Sequence, residues 1–138
     1  MVSSDERVQQ RRLRDRARRK RFELLISSAL RSLPPDVQAM LDNVDVVVAA
    51  EPNPDHLRGW VGDDSDGELL GLYEGTPLID RTGGGMRLPD QITIFQGPIE
   101  RSCATREEMA EEVRITVLHE LAHHFGLDED RIDELGLG

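Results

Sequence analysis

His119-Glu120-Leu121-Ala122-His123-His124-Phe125-Gly126-Leu127-Asp128-Glu129 holds a His-Glu-x-x-His pattern followed by a glycine and a run of carboxylates. On a helix, side chains four apart lie about 40° apart round the axis and about 6 Å apart along it. The imidazoles of His119 and His123 can therefore reach over one surface to a single divalent ion. Glu120 projects from the flank of that surface, placed to take a proton from metal-bound water. A catalytic zinc keeps three protein ligands and one open position. Gly126 can stop the helix in a left-handed conformation and let the chain fold back. Glu129 is then the candidate third ligand, with Asp130 and Asp133 as rivals. His124 lies about 100° round from His123 and cannot share the same ion from a helix.

Working outward, Thr105-Arg106-Glu107-Glu108 is a capping box, with Thr105 as N-cap and Glu108 at the third helical position. It opens a helix running to about Phe125. Met109, Val113, Thr116, Val117 and Leu121 line one side, and Ile115, Leu118, Ala122 and Phe125 widen that apolar surface. Such a helix is central to a fold. Polar groups buried there cost a few kcal/mol unless satisfied, and a shared ion would satisfy His119, Glu120 and His123 together. Cys103 sits at the head of the same helix and cannot be bent to the ion.

Upstream, Val44-Asp45-Val46-Val47-Val48-Ala49 is a β-branched run and reads as a buried strand. Leu69 to Glu74 and Thr76 to Ile79 read as two strands about a Glu74-Gly75 turn, with Pro77 pushing the second toward an edge. Asp90 to Gln96 alternates cleanly and is a further strand, closed by Gly97-Pro98. Asp63 to Glu68 has the look of a calcium loop, but the twelfth position counted from Asp63 is Glu74, inside an expected strand and not closing a loop, so the stretch reads as a polar turn. His56 is assigned to solvent. The glycine run at 83–85 lacks the Lys-Ser/Thr of a phosphate loop.

The net charge of −10 conceals a split. Residues 1–21 hold nine Arg or Lys against three acids, for +6, whereas the remainder holds eight against 24, for −16. The first 21 residues read as a flexible basic arm, and 22–138 as one domain. The arm's partner would be nucleic acid or an anionic surface. Phe22, Leu24, Leu25, Ile26, Ala29, Leu30 and Leu33 recur at helical spacing, predicting a helix from about Arg18 to Leu33, ended by Pro34-Pro35. Asp36 to Leu41 is a short helical turn. A single cysteine excludes an internal disulfide and suits a reducing compartment. No run approaches the ~18 apolar residues of a membrane helix. The arginine-rich start does not read as a secretory signal. These features fit a cytoplasmic protein, and the sequence leaves a homodimer open.

Residues 111–136, EEVRITVLHELAHHFGLDEDRIDELG, together with GLYEGTPL at 71–78 and LPDQITIFQGPIER at 88–101, resemble the small bacterial zincin-like metallopeptidases, or mini-zincins. The likeness covers residues 36–136 and leaves the basic arm outside. It implies an α+β fold, with a small twisted mixed sheet of three to four strands packed on helices and a long central helix bearing His-Glu-x-x-His. In zincins an edge strand beside the cleft takes extended peptide by β-augmentation, and Ile92–Gln96 is the candidate by order along the chain. The family pattern His-Glu-x-x-His-x-x-Gly-x-x-Asp carries onto His119, Glu120, His123 and Gly126. Glu129 stands where Asp is usual, one methylene longer. The resemblance implies one Zn²⁺ on His119, His123 and Glu129, with Glu120 as general base for peptide-bond hydrolysis. The rival expectation is a catalytically dormant domain that binds a peptide or protein partner without cleaving it. No Tyr or Arg is singled out as an oxyanion stabiliser.

Overall fold

The computed structural model describes residues 3–58, 67–75, 90–126 and 129–134, with Glu129 and Ile132 described by backbone alone. The turns expected at 63–66 and 81–85, Trp60 and the strand expected at 76–79 lie outside them.

Helix α1 spans Ser4–Arg31. Ser3 caps it, its hydroxyl accepting from the Glu6 N–H at 3.2 Å, and Asp5 and Glu6 complement the dipole in the first turn. The expected start near Arg18 is thus corrected to Ser4. The basic segment simply continues a helix that Phe22, Leu25, Ile26 and Ala29 bury at its far end. Pro34 and Pro35 divide it from α2 (Pro35–Leu41), in which Pro35 takes the first helical position.

Strands β1 (Val44–Ala49), β2 (Gly71–Glu74) and β3 (Asp90–Phe95) form the described sheet in the order β1-β3-β2. β3 pairs parallel with β1, Val44 to Asp90 through Ala49 to Phe95, and antiparallel with β2, Gly71 to Ile94 through Glu74 to Gln91. The architecture is α+β with a small mixed sheet, as expected. Two assignments change. β1 buries only Val44 because it lies at the margin of the described sheet. The strand expected to stand beside the cleft is instead the central one: β3 is hydrogen-bonded on both sides, and Ile92, Ile94 and Phe95 are fully buried. It has no edge left for an added strand. Gln96, expected in that strand, opens α4 (Gln96–Ser102), where Pro98 sits in the first turn without breaking a helical hydrogen bond.

Ile92 and Ile94 point toward one face, where they meet Phe22, Leu25, Ile26 and Ala29 of α1 and Val113, Val117, Leu118 and Leu121 of α5 (Arg106–Phe125). On the other face Phe95 meets the edge of His56, with ring centroids 4.9 Å apart. His56, expected in solvent, is only 16% exposed at its side chain. It lies in α3 (Pro54–Arg58), where Asn53 fixes it: the His56 N–H donates to Asn53 Oδ1 at 2.8 Å, and the Asn53 N–H to His56 Nδ1 at 3.0 Å.

One residue ties the ends of the strands together. Arg101 of α4 donates to Glu51, beyond β1, at 2.6 and 2.9 Å, and to Glu68, ahead of β2, at 2.5 and 2.9 Å. These hydrogen bonds hold both carboxyls below their usual range. Gly97 leaves room for the arrangement, since a Cβ there would fall 1.7 Å from Glu51 Oε2.

Candidate metal centre

Helix α5 begins close to the expected capping box, with the return bond of Glu108 falling one residue before the N-cap. Thr105 Oγ1 accepts from the Glu108 N–H at 3.1 Å, and the Glu108 carboxylate reaches back to the Ala104 N–H at 2.9 Å. Val113, Val117, Leu118 and Leu121 are buried, which turns His119 and His123 outward. Both imidazoles are exposed, so the site opens to solvent at the last two turns of the helix.

The two rings converge. His119 Nε2 and His123 Nε2 stand 2.9 Å apart, with ring centroids at 4.6 Å and planes inclined at 52°. At that separation one nitrogen donates and the other accepts, according to the tautomers. Two imidazole nitrogens on a tetrahedral zinc at about 2.0–2.1 Å lie roughly 3.3 Å apart. A few tenths of an ångström of rotation separates the present arrangement from a chelating one, so the pair fits a metal.

Glu120 occupies the flank between these rings and the sheet. Burial raises its carboxyl above the usual range, while the His123 charge and a hydrogen bond from the main-chain N–H of Tyr73 oppose the shift. Tyr73 reaches it because of the sheet register. Leu70 and Phe95 share a ladder bond, with the Phe95 N–H donating to the Leu70 carbonyl at 2.9 Å, and Leu72 stands opposite Thr93. Alternation along an antiparallel pair then turns the Tyr73 N–H away from β3, toward α5. Gly71 allows the approach: a Cβ there would lie 2.6 Å from Thr116 Cγ2, one helical turn before Glu120.

His124 is used elsewhere, as its helical position requires. Its ring stacks on Tyr73, with centroids 3.8 Å apart and planes within 17°. The Tyr73 hydroxyl donates to Asp90 Oδ2 at 2.7 Å, and His124 Nε2 lies 3.8 Å from the same oxygen. Phe125 meets Tyr73 edge to face at 6.3 Å. This Tyr73–His124–Asp90 cluster pins the end of α5 to β2 and β3, and the sequence did not reveal it. Its signal lay in strand register, which a lone tyrosine between leucine and glutamate does not disclose.

Past Phe125, Gly126 takes φ 62° and ψ 45°, the left-handed stop expected of it, and its N–H returns to the Ala122 carbonyl. Helix α6 (Glu129–Glu134) comes next, and its Arg131 pairs with Asp36 of α2 and with Glu134. Among the described residues no group of three His, Cys, Asp or Glu able to hold a metal forms, so neither Asp130 nor Asp133 joins the two imidazoles. The Glu129 side chain lies outside the description. Likewise among the described residues, no helix is long and apolar enough to cross a membrane.

A family model described as zincin-like metallopeptidase matches residues 41–138. Among solved structures, a conserved hypothetical protein from Thermo thermophilus is similar at 25% identity and a TM-score of 0.50, over 78% of this chain and 92% of that one. Among curated proteins, none matches.

Proposed function

Since the chain belongs to the zincin-like metallopeptidases, we infer that it hydrolyses peptide bonds with one zinc ion held at the end of α5. The observation that carries this reading is the pair of Nε2 atoms 2.9 Å apart, with a half-buried glutamate on the adjacent flank. His119 and His123 would hold the metal, and Glu129, three residues past the left-handed stop at Gly126, is the proposed third ligand. A bound zinc supplies a Lewis acid that polarises the scissile carbonyl and acidifies water.

Glu120 is the general base. A carboxyl raised toward neutral pH by burial is matched to taking a proton from water and passing it to the leaving amine. The main-chain N–H of Tyr73 steadies the carboxylate without supplying a competing charge. The peptide is proposed to lie along β2, the strand at the margin of the described sheet and next to α5. β3 is closed to that role by its two neighbours.

The test is Glu120→Gln, assayed on a mixed peptide library after zinc loading. Cleavage lost by a factor of about 10² to 10⁴ with zinc content unchanged supports Glu120 as base. Cleavage retained removes it from that role. A loaded parent chain that captures library peptides and cuts none of them would establish a binding domain instead.

A further inference from the structure

The metal site makes no use of the charge carried by α1. From Ser3 to Arg18 every residue is exposed, and the buried anchor begins only at Phe22. An isolated segment of this composition would be a poor helix, because nucleation is costly and like charges four apart repel, as at Arg7 and Arg11 or Arg12 and Arg16. Here the anchored end supplies the nucleus and the Ser3 cap closes the other end. The exposed part presents a rod roughly 22 Å long at ~1.5 Å per residue.

The charges on that rod are ordered. Arg7, Arg11, Arg14, Arg18 and Arg21 follow alternating steps of four and three and form one stripe. Arg11, Arg14, Arg18 and Arg21 line a shallow surface cleft together with Asp15 and Ala17. Arg12, Arg16 and Arg19 form a second stripe, roughly 150° round the axis. Among the described residues, the rod is tied to the body at its base. Arg19 donates to Gln96 at 2.8 Å and to the Val48 carbonyl at 3.4 Å, and Arg18 lies 3.5 Å from Glu100.

We propose that the exposed half of α1 binds double-stranded DNA by lying in the major groove, its two arginine stripes facing the phosphates of the two strands. A helix is about 10–12 Å across with its side chains, and the B-form major groove is about 12 Å wide. Guanidinium groups suit phosphate oxygens because they donate in pairs. Stripes on both flanks match a groove with a phosphate wall on each side. Duplex RNA is a poorer fit, since its major groove is too deep and narrow for a helix. Single strands need aromatic platforms, and no aromatic residue precedes Phe22, which is itself buried. A membrane surface needs an apolar face. Val8 and Leu13 are the large exposed apolar side chains of this segment, and five residues apart on a helix they point in different directions. The remaining chain, at −16, repels a polyanion and confines contact to the rod.

The experiment titrates the full chain, with chelator present to silence the metal site, into a short labelled DNA duplex of random sequence between roughly 50 and 200 mM salt. Setting aside Arg18, which faces Glu100, the other seven exposed basic residues (Arg7, Arg11, Arg12, Arg14, Arg16, Lys20 and Arg21) predict a log–log salt slope of about −6. The triple variant Arg7→Gln, Arg11→Gln, Arg14→Gln should lower that slope by about three and weaken binding more than tenfold, with helix content by circular dichroism unchanged. The proposal is overturned by no binding at the lowest salt or by an unchanged slope in the variant. It is equally overturned by tighter binding to single-stranded DNA, duplex RNA or anionic vesicles, or by salt-sensitive self-association in place of DNA binding.

Discussion

The main-chain N–H of Tyr73 donates to the carboxylate of Glu120, so the proposed base on α5 is held by the backbone of β2. Everything that sets the distance between that strand and that helix therefore sets the base. Gly71 governs the approach from one end of β2, and the stack of Tyr73 on His124 governs it from the other.

Gly71→Ala should destabilise the fold by about 1–3 kcal/mol, because the new methyl meets Thr116 Cγ2 at 2.6 Å and the Thr93 carbonyl at 3.2 Å. Urea unfolding reads the loss. Adding Thr116→Ser, which removes the offending methyl, should recover part of it, and failure to recover any would place the strain elsewhere.

Tyr73→Phe removes the 2.7 Å hydrogen bond to Asp90 but leaves the ring on His124 and the main-chain N–H on Glu120. A stability loss of about 0.5–1.5 kcal/mol is expected, with zinc affinity within about threefold of the parent. Tyr73→Ala also removes the stack and should lose more stability. Equal losses in the two variants would show that the ring contact contributes nothing.

Gly126→Ala places a methyl in open space, so any cost is conformational and not steric. At φ 62° an L-residue with a Cβ is strained by about 1–2 kcal/mol, and Asn should cost less than Ala. Alanine and asparagine variants of equal stability would contradict a left-handed stop at this position.

Arg101→Gln tests the clamp on the strand ends through its pH dependence. Glu51 and Glu68 are held below the ordinary 4.5 by hydrogen bonds from Arg101. A depressed carboxyl contributes stability that is fully present above the ordinary value and lost as pH falls through the folded one. The variant should therefore be less stable than the parent at neutral pH, with the gap closing on acidification below about 4.5. A gap independent of pH would assign the effect to packing.

The sequence disclosed the parts of this fold that are governed by local rules. The Thr105 N-cap, the Gly126 stop and the β-branched run of β1 appear where spacing put them, and the apolar face of α1 does so except at Leu24, which is exposed. What it hid depends on which elements become neighbours. Residues 92–95 alternate like a half-exposed strand, yet the centre of a mixed sheet buries both faces and both edges. Gly97-Pro98 reads as a break and instead lies in the first turn of α4. Asn53 and Phe95 engage a histidine that looked destined for solvent. At the site, the convergence of His119 and His123 followed from helical spacing alone. The role of Tyr73 was invisible because it requires both the β2–β3 register and the close packing at Gly71.

The most direct test of the account is calorimetric zinc titration of the metal-stripped chain beside His119→Ala and His123→Ala. One zinc per chain is expected for the parent, with affinity weakened more than about 100-fold in each variant, since losing a ligand exceeds the cost of losing its outer partner. A parent that takes up no zinc, or variants that bind it as tightly as the parent, would contradict the claim that these two imidazoles form the core of a metal site.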